Sequence, residues 1–312
     1  MLHETIQVNQ LTLANRLVQP PMATEQSADG HATAAFCDFY AARSGAIGLI
    51  IIEHAYVLQE GKASKGQLSV GPDADMDGLR RVAEAVHQKG VTRVFAQINH
   101  AGMAAKPEVT GLPALDIDAL TGDDFRRLRD AFVQAALRVK AAGFDGVEIH
   151  GAHGYLNNQL YSPLKNHRGD AYGHGSLENR TRLACETIAA AREALGADYP
   201  IAYRFGACDY QEGGAMAAEA PLAAKLFAAA GCDLLDVSGG LNGFMIRGVS
   251  TPGWFGDLSQ TIRGAVDIPV LLTGGVQTKE QAERLLAEGK ADLIGVGRAI
   301  LRDADWAAKA LA

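Results

Sequence analysis

Eight short apolar runs recur along the 312-residue chain, separated by stretches with helical periodicity. Most of the runs lack polar alternation, which is typical of parallel strands buried on both faces. The helical pattern is clearest at residues 123–143 and 176–196, where Ser176 is placed to cap the second helix and Gly196 to end it. The apolar runs are residues 16–23, 47–53, 93–99, 146–150, 200–206, 233–240, 269–275 and 292–298.

Strands that alternate with helices imply right-handed crossovers and a parallel sheet. No linker rich in proline or serine divides the chain. Eight such units in one undivided chain favour a closed barrel over an open doubly wound sheet. The sequence therefore predicts an α/β protein, a (β/α)8 TIM barrel, in which residues 1–312 form a single domain.

Composition narrows the classes of partner. The formal net charge of −7 argues against nucleic acid and gives no long-range attraction to an anionic membrane. No run approaches the length of a membrane span, and the first residues lack the apolar core of a signal peptide. The cysteines form no C-x-x-C pair and fit a reducing compartment; they are Cys37, Cys185, Cys208 and Cys232. We therefore expect a cytoplasmic protein with neither a membrane nor a nucleic-acid partner.

A barrel of this kind places its chemistry at the carboxyl ends of the strands. Polar residues or glycines end six of the eight runs, as this expectation requires. They are Asn99 and His100, His150, Arg204, Gly239 and Gly240, Gly274 and Gly275, and Gly297 and Arg298.

Glycine-rich turns follow the last two runs, at residues 273–275 and 295–298. Glycines let backbone N–H groups approach an anion closely, a following helix adds a favourable dipole, and Arg298 supplies a fixed positive charge. Either turn alone is explained by a tight connection, but the two together predict a phosphate site. The phosphate can belong to a substrate or a cofactor, and no G-x-G-x-x-G motif indicates a separate dinucleotide-binding domain.

Two histidines, His150 and His153, stand three residues apart where the fourth run gives way to a loop. They can be structural, they can bind a metal together with Glu148, or they can donate N–H bonds to a carbonyl oxygen. Glu148 should point away from its strand neighbours, and no further cluster completes a tetrahedral metal site. Tyr155 could donate a proton. The residues alone therefore predict an enzyme that binds an anion or a carbonyl group. They do not decide whether the reaction is an isomerisation, an aldol cleavage or a hydride transfer.

The stretch HGAHGYLNNQLYSPLKNHRGDAYGHGSLENRTR, residues 150–182, resembles the signature of the Old Yellow Enzyme family of FMN-dependent oxidoreductases. The resemblance extends over essentially the whole chain, including residues 15–24, 60–68, 97–102 and 292–303. It implies tightly bound, non-covalent FMN across the barrel mouth. It also implies ping-pong hydride transfer from NADH or NADPH to an α,β-unsaturated carbonyl compound, an ene-reductase activity.

The resemblance also assigns roles. His150 and His153 match the residues that hold the carbonyl oxygen of the alkene, and Tyr155 matches the tyrosine that protonates the α-carbon. Gln97 and Arg204 match contacts to the pyrimidine edge of the flavin and to its N1/O2 region. The predicted cofactor-binding residues are Pro21, Met22, Ala23, His54, Gln97, Arg204, Gly240, Gly274, Gly275, Gly297 and Arg298, and no metal-binding residue is predicted.

Some residues depart from the family pattern. Ala23 stands where relatives often carry threonine or cysteine, and His54 stands where many have a small residue. Relatives with an iron–sulfur cluster carry a cysteine cluster and a further domain downstream, which this sequence does not contain. Dienoyl-CoA thioesters and methylamines are therefore disfavoured as substrates.

Two alternatives to an ene-reductase stay open: a related flavin-dependent dehydrogenase that oxidises or aromatises a cyclic substrate, and a flavin-binding protein without turnover. The natural substrate, the choice of NADH or NADPH, the direction of the reaction and assembly into a homo-oligomer also stay open. The sequence also does not decide whether His54, or the loop that carries Phe244, Trp254 and Phe255, enters the active site.

Overall fold

The computed structural model describes residues 1–312. Its strands are β1 (Ile6–Val8), β2 (Leu11–Leu13), β3 (Leu17–Gln19), β4 (Leu49–Tyr56), β5 (Arg93–Asn99), β6 (Gly146–Gly151), β7 (Ile201–Gly206), β8 (Leu234–Ser238), β9 (Val270–Thr273) and β10 (Leu293–Gly295). Its helices are α1 (Ala34–Arg43), α2 (Met76–His87), α3 (Pro107–Thr110), α4 (Gly122–Ala141), α5 (Leu156–Tyr161), α6 (Leu177–Leu195), α7 (Ala220–Ala229), α8 (Gly256–Arg263), α9 (Lys279–Ala287), α10 (Arg298–Arg302) and α11 (Trp306–Ala310).

Strands β3 to β10 form a closed, parallel barrel in which each strand pairs with the next along the chain. The barrel closes where β10 pairs with β3, with Ile294 opposite Leu17. Each of the eight predicted apolar runs supplies one of these strands. The predicted (β/α)8 barrel is therefore confirmed.

The helices surround the barrel and bury their apolar faces against it. The two predicted most clearly are α4 and α6. In α6 the Ser176 side chain accepts a hydrogen bond from the backbone N–H of Asn179, and Gly196 ends the helix with φ 86°. None of the helices is both long enough and apolar enough to cross a bilayer.

A small hairpin, β1 paired with β2, was not predicted from the sequence. Its Val8 and Leu13 are fully buried with apolar side chains from the barrel interior. They belong to a cluster of ten residues whose other members are Val18, Leu49, Ile51, Phe95, Ala202, Leu234, Leu271 and Leu293. The hairpin therefore plugs the amino-terminal end of the barrel with apolar surface.

Polar side chains replace this apolar cluster further along the same strands. Alternation along β6 places Val147 and Ile149 in the apolar layer beneath the helices and turns Glu148 into the barrel, as the sequence predicted. There Glu148 accepts a hydrogen bond from Gln97, and Arg204 lies 3.3 Å from Asp236. These four side chains form a polar layer that separates the apolar plug from the carboxyl-terminal mouth.

Candidate active site

A cavity of about 610 Å³ opens at the carboxyl ends of the barrel strands. Such a volume suits a cofactor together with a small substrate. All predicted site residues except Gly240 line it: Pro21, Met22, Ala23, His54, Gln97, His150, His153, Tyr155, Arg204, Gly274, Gly275, Gly297 and Arg298. The strand ends therefore bring together residues that are up to 277 positions apart in the sequence (Pro21 and Arg298).

Gly240 lies beside the cavity rather than on its wall. Its backbone N–H donates to the carbonyl of Cys208, and a Cβ at this position would stand 2.1 Å from Asp209 Oδ1. Asp209 also accepts hydrogen bonds from the backbone of Leu241 and from the Ser162 hydroxyl. Close packing against Asp209 is enough to explain why glycine stands here.

His150, His153 and Tyr155 form one group at the end of β6. The His150 ring centroid lies 5.1 Å from that of His153 and 5.2 Å from that of Tyr155. His153 has φ 59°, a conformation that few residues other than glycine adopt, so local structure holds this ring in place at an energetic cost. The arrangement points three hydrogen-bonding side chains at one part of the cavity.

The two rings are neutral donors. Burial lowers the pKa of His150 and of His153 well below the ordinary value. His150 Nδ1 accepts from the backbone N–H of Ala152 at 3.3 Å, which leaves its proton on Nε2. His153 Nε2 lies 2.7 Å from the Ser238 hydroxyl, and when that hydroxyl donates, Nδ1 carries the proton.

Tyr155 keeps its phenolic proton at neutral pH. Burial of the side chain raises its pKa, and the nearby charge of Glu25 raises it further. No protein group within hydrogen-bonding distance accepts from the phenol. The proton is therefore available to a ligand in the cavity.

Arg204 and Gln97 carry the polar layer into the cavity. Gln97 Nε2 donates to Glu148 Oε1 at 2.7 Å, which leaves the amide oxygen of Gln97 free to accept from a ligand. Burial raises the pKa of Asp236 to about 6 and that of Glu148 well above its usual value, while Arg204 lowers both. Burial therefore opposes ionisation of these two carboxyl groups, and the Arg204 guanidinium favours it.

The glycine-rich turns form the opposite end of the cavity. Gly275 has φ 72°, and a Cβ there would stand 2.1 Å from the Trp254 ring, so only glycine lets the backbone pass. The Arg298 guanidinium lies 5.4 Å from the centroid of that ring. This end offers close backbone and a permanent positive charge, the features that suit a phosphate.

These residues fit FMN. The buried Arg204 Nε and the Thr273 hydroxyl form no hydrogen bond within the protein and remain available to a polar ring system. No carboxylate lines the cavity, and the Arg298 end can take an anion. No group of three or more histidine, cysteine or acidic side chains is placed to hold a metal.

Several lining residues were missed or left open at the level of sequence. Ser238 and Thr273 each end a buried strand, which is the signal that could have identified them. The sequence did not decide whether the loop that carries Phe244 and Trp254 enters the site. Both side chains line the cavity, and Phe244 is 61% exposed. Phe255 is buried instead, at 1% exposure, and is the N-cap residue that precedes α8.

Comparison with known proteins places the chain in a family. A family model described as the NADH:flavin oxidoreductase / NADH oxidase family matches residues 1–312. An NADH oxidase from Thermoanaerobacter brockii is 39% identical over 97% of this chain and 49% of its own length. An NADPH dehydrogenase from Bacillus licheniformis is 38% identical over 95% of this chain and 89% of its own. The chain thus spans about half the length of the first curated relatives it matches and most of the length of others.

Solved structures agree with this placement. An old yellow enzyme homologue from Zymomonas mobilis superimposes with a TM-score of 0.82 at 26% identity, covering 97% of this chain and 90% of that one. A 2-naphthoyl-CoA reductase in complex with 2-naphthoyl-CoA gives 0.92 at 24% identity, covering 99% and 51%, and supports the fold alone. The predicted FMN cofactor and nicotinamide hydride donor are confirmed at the level of the family. The chain belongs to the NADH:flavin oxidoreductase / NADH oxidase family, and its predicted resemblance to the Old Yellow Enzyme family is confirmed.

Proposed function

We propose that this protein is an ene-reductase that uses NADH or NADPH to reduce the C=C bond of α,β-unsaturated carbonyl compounds. When bound, FMN would supply the hydride chemistry that links the nicotinamide to the β-carbon. The observation that carries the proposal is the grouping of two histidine rings and a phenol in a cavity that no carboxylate lines.

We assign cofactor binding to two parts of the cavity: its floor, formed by residues 21–23, and the end that contains Gly275 and Arg298. We assign the amide oxygen of Gln97 and the guanidinium of Arg204 to the polar edge of the flavin, and Gly275 and Arg298 to its phosphate. A fixed positive charge at Arg204 favours the anionic form of a reduced ring. Pro21, Met22 and Ala23 form the apolar and backbone surface of the floor.

The histidine pair polarises the substrate. N–H groups of His150 and His153 bind the carbonyl oxygen, on which negative charge develops when the β-carbon receives a hydride. Because both rings are buried and neutral, they act as donors and do not exchange the proton themselves. Preorganised donors of this kind stabilise developing charge without reorientation at the moment of reaction.

Tyr155 completes the addition. Its phenolic O–H breaks as a new C–H bond forms at the α-carbon, so the alkene gains one hydride and one proton. Solvent then reprotonates the phenolate, for which the raised pKa of Tyr155 provides a strong driving force. The alkene is reduced, NAD(P)H is oxidised, and one proton is taken from water.

We further propose that residues 1–312 act as a single domain in the cytoplasm. Every strand belongs either to the closed barrel or to the hairpin that plugs it. The four cysteines are free thiols, which suits a reducing compartment.

An anaerobic stopped-flow experiment on the FMN-loaded protein tests the proposal. We expect NADH or NADPH to bleach the flavin absorbance and a cyclic enone to restore it, with the saturated ketone as product. Desaturation of the ketone in place of enone reduction would favour the oxidative dehydrogenase. Failure of both nicotinamides to bleach the flavin would favour a flavin-binding protein without turnover.

A further inference from the structure

His54 enters the cavity because β4 changes register. The pairing of β4 with β5 shifts between Ile52 and Ala55, and His54 stands inside that interruption. Its ring centroid lies 5.4 Å from that of Tyr155 and 6.1 Å from that of His150. The imidazole therefore shares one part of the cavity with the side chains that we assign to the substrate, away from the Arg298 end.

The orientation of the Gln67 amide is fixed by the backbone. Gln67 Oε1 accepts from the N–H of Ala63 at 2.6 Å, and Gln67 Nε2 donates to the carbonyl of His54 at 3.2 Å. Exchanging the oxygen and the nitrogen of this amide would turn both bonds into repulsive contacts. The nitrogen therefore faces His54.

That orientation determines the tautomer of His54. Gln67 Nε2 lies 2.7 Å from His54 Nδ1, and Asn99 Nδ2 lies 3.3 Å from the same atom. An amide nitrogen can only donate, so Nδ1 accepts and the single proton of the neutral ring is on Nε2. Burial lowers the pKa of His54 to about 4, which keeps the ring neutral at physiological pH.

The Nε2–H group of His54 has no acceptor in the protein. No hydrogen bond from this atom is formed, and no carboxylate lines the cavity to accept one. The Ser238 hydroxyl is already paired with His153. An N–H donor that is held in a fixed orientation and has no acceptor in the protein is suited to donate a hydrogen bond to an acceptor atom of a ligand.

We propose that His54 is a third N–H donor to the substrate and selects alkenes that carry two acceptor groups, such as unsaturated imides and 1,4-dicarbonyl compounds. A single carbonyl oxygen occupies the His150–His153 pair, whose ring centroids are 5.1 Å apart. His54, on the other side of His150, then needs a second acceptor on the same molecule. This inference rests on the proposed function, since it names the substrate class of the same site.

Turnover by the FMN-loaded protein tests the selectivity. The substrates are N-methyl-2-methylmaleimide and 2-methyl-2-cyclopentenone, two five-membered rings that differ in the number of carbonyl groups beside the alkene. We expect His54→Ala to lower the ratio of kcat/KM for the imide to kcat/KM for the enone about tenfold, the effect of one hydrogen bond. His54→Gln keeps an N–H donor and should recover part of the ratio, whereas the exposed control His174→Ala should leave it unchanged.

Binding of saturated analogues gives a second measurement that is independent of turnover. N-methylsuccinimide and cyclopentanone are titrated into the yellow protein, and the shift of the visible flavin band gives each Kd. We expect His54→Ala to raise the Kd of the imide relative to that of the ketone about tenfold.

The outcomes separate this inference from the proposed function. An unchanged imide preference in both assays with His54→Ala would overturn the role of His54 while leaving ene-reduction intact. An unchanged preference together with weakened FMN binding would overturn it as well, and would assign His54 to the cofactor. If the unaltered protein reduced neither alkene, the proposed function would fail, and the succinimide titration would still decide whether His54 binds a second acceptor.

Discussion

The two ends of the barrel are built from the same eight strands and differ in almost every chemical respect. At the amino-terminal end, the β1–β2 hairpin and the strand interiors bring ten apolar side chains together. At the carboxyl-terminal end, imidazoles, a phenol and guanidinium groups surround an open cavity. The polar layer of Gln97, Glu148, Arg204 and Asp236 lies between them.

The difference shows how one scaffold separates stability from chemistry. An apolar end gains free energy from burial and needs no particular orientation of its groups. A donor-rich end leaves hydrogen-bonding capacity unused until a ligand arrives, which costs stability. Substitutions at the two ends should therefore affect different measurements, and five changes test this expectation.

The largest effect is expected at the mouth. His150→Ala removes one donor to the carbonyl oxygen and should slow the reoxidation of reduced flavin by an enone about 1,000-fold. Reduction of the flavin by the nicotinamide should change far less, since no charge develops on a substrate oxygen in that step. Single-turnover measurements of the two half-reactions check this; equal slowing of both would contradict the assignment.

At the plugged end, Leu13→Ala removes a fully buried side chain and should destabilise the protein by about 3 kcal/mol. Denaturant unfolding of the parent and the variant measures the change. The ratio of rates for two different enones should stay the same, because the cavity lies on the far side of the polar layer. A changed ratio would show that the two ends are coupled.

Tyr155→Phe should slow alkene reduction about 100-fold and spare the reduction of flavin. The ring stays in place, so only the proton donor is lost. The phenolic proton exchanges with D2O, so deuterium reaches the α-carbon in both proteins, and a change in the face of that carbon that is deuterated reports that solvent replaces the phenol. Turnover at the parent rate, with the same stereochemistry at the α-carbon, would exclude Tyr155 as the acid.

The pH dependence of stability should also differ between the ends. The pKa of His54 is about 4 in the folded protein and near 6.5 in an unfolded chain, so unfolding takes up a proton between these values. The stability associated with this group is present above pH 6.5 and is lost as the pH falls to about 4. His54→Gln should reduce that slope by up to about 1.4 kcal/mol per pH unit, whereas Leu13→Ala should leave the slope unchanged.

The smallest effect concerns the floor of the cavity. Ala23→Thr adds a hydroxyl at a position that lines the cavity, and one neutral hydrogen bond to the reduced flavin contributes about 1 kcal/mol. The two-electron midpoint potential should rise by about 20 mV. Spectroelectrochemical titration checks this, and an unmoved potential would contradict a contact between residue 23 and the flavin.

The barrel could be predicted from the sequence because each of its strands is buried on both faces and reads as an apolar run. The β1–β2 hairpin could not, since its three-residue strands are too short to show a period. Gly240 was expected in the cavity wall and lies beside it, because a glycine required by packing looks the same in a sequence as one that lines a cavity. Entry of His54 depends on a register shift in β4, which is a property of the pairing with β5 and not of the residues near His54 alone.

The pairing of β10 with β3 sets the order in which the molecule can be completed. Until the barrel closes, β3 has an unpaired edge at Leu17. The residue that pairs with Leu17 is Ile294, near the other end of the chain. Contacts so distant in sequence carry a large loop-closure entropy and form late in folding. Met22 and Gly297 lie beside each other across this same seam, so we expect the Arg298 end of the cavity to form late in folding. A cofactor that binds only the closed barrel stabilises the folded state. The supply of flavin during synthesis should therefore determine the yield of folded protein as well as the fraction that contains flavin.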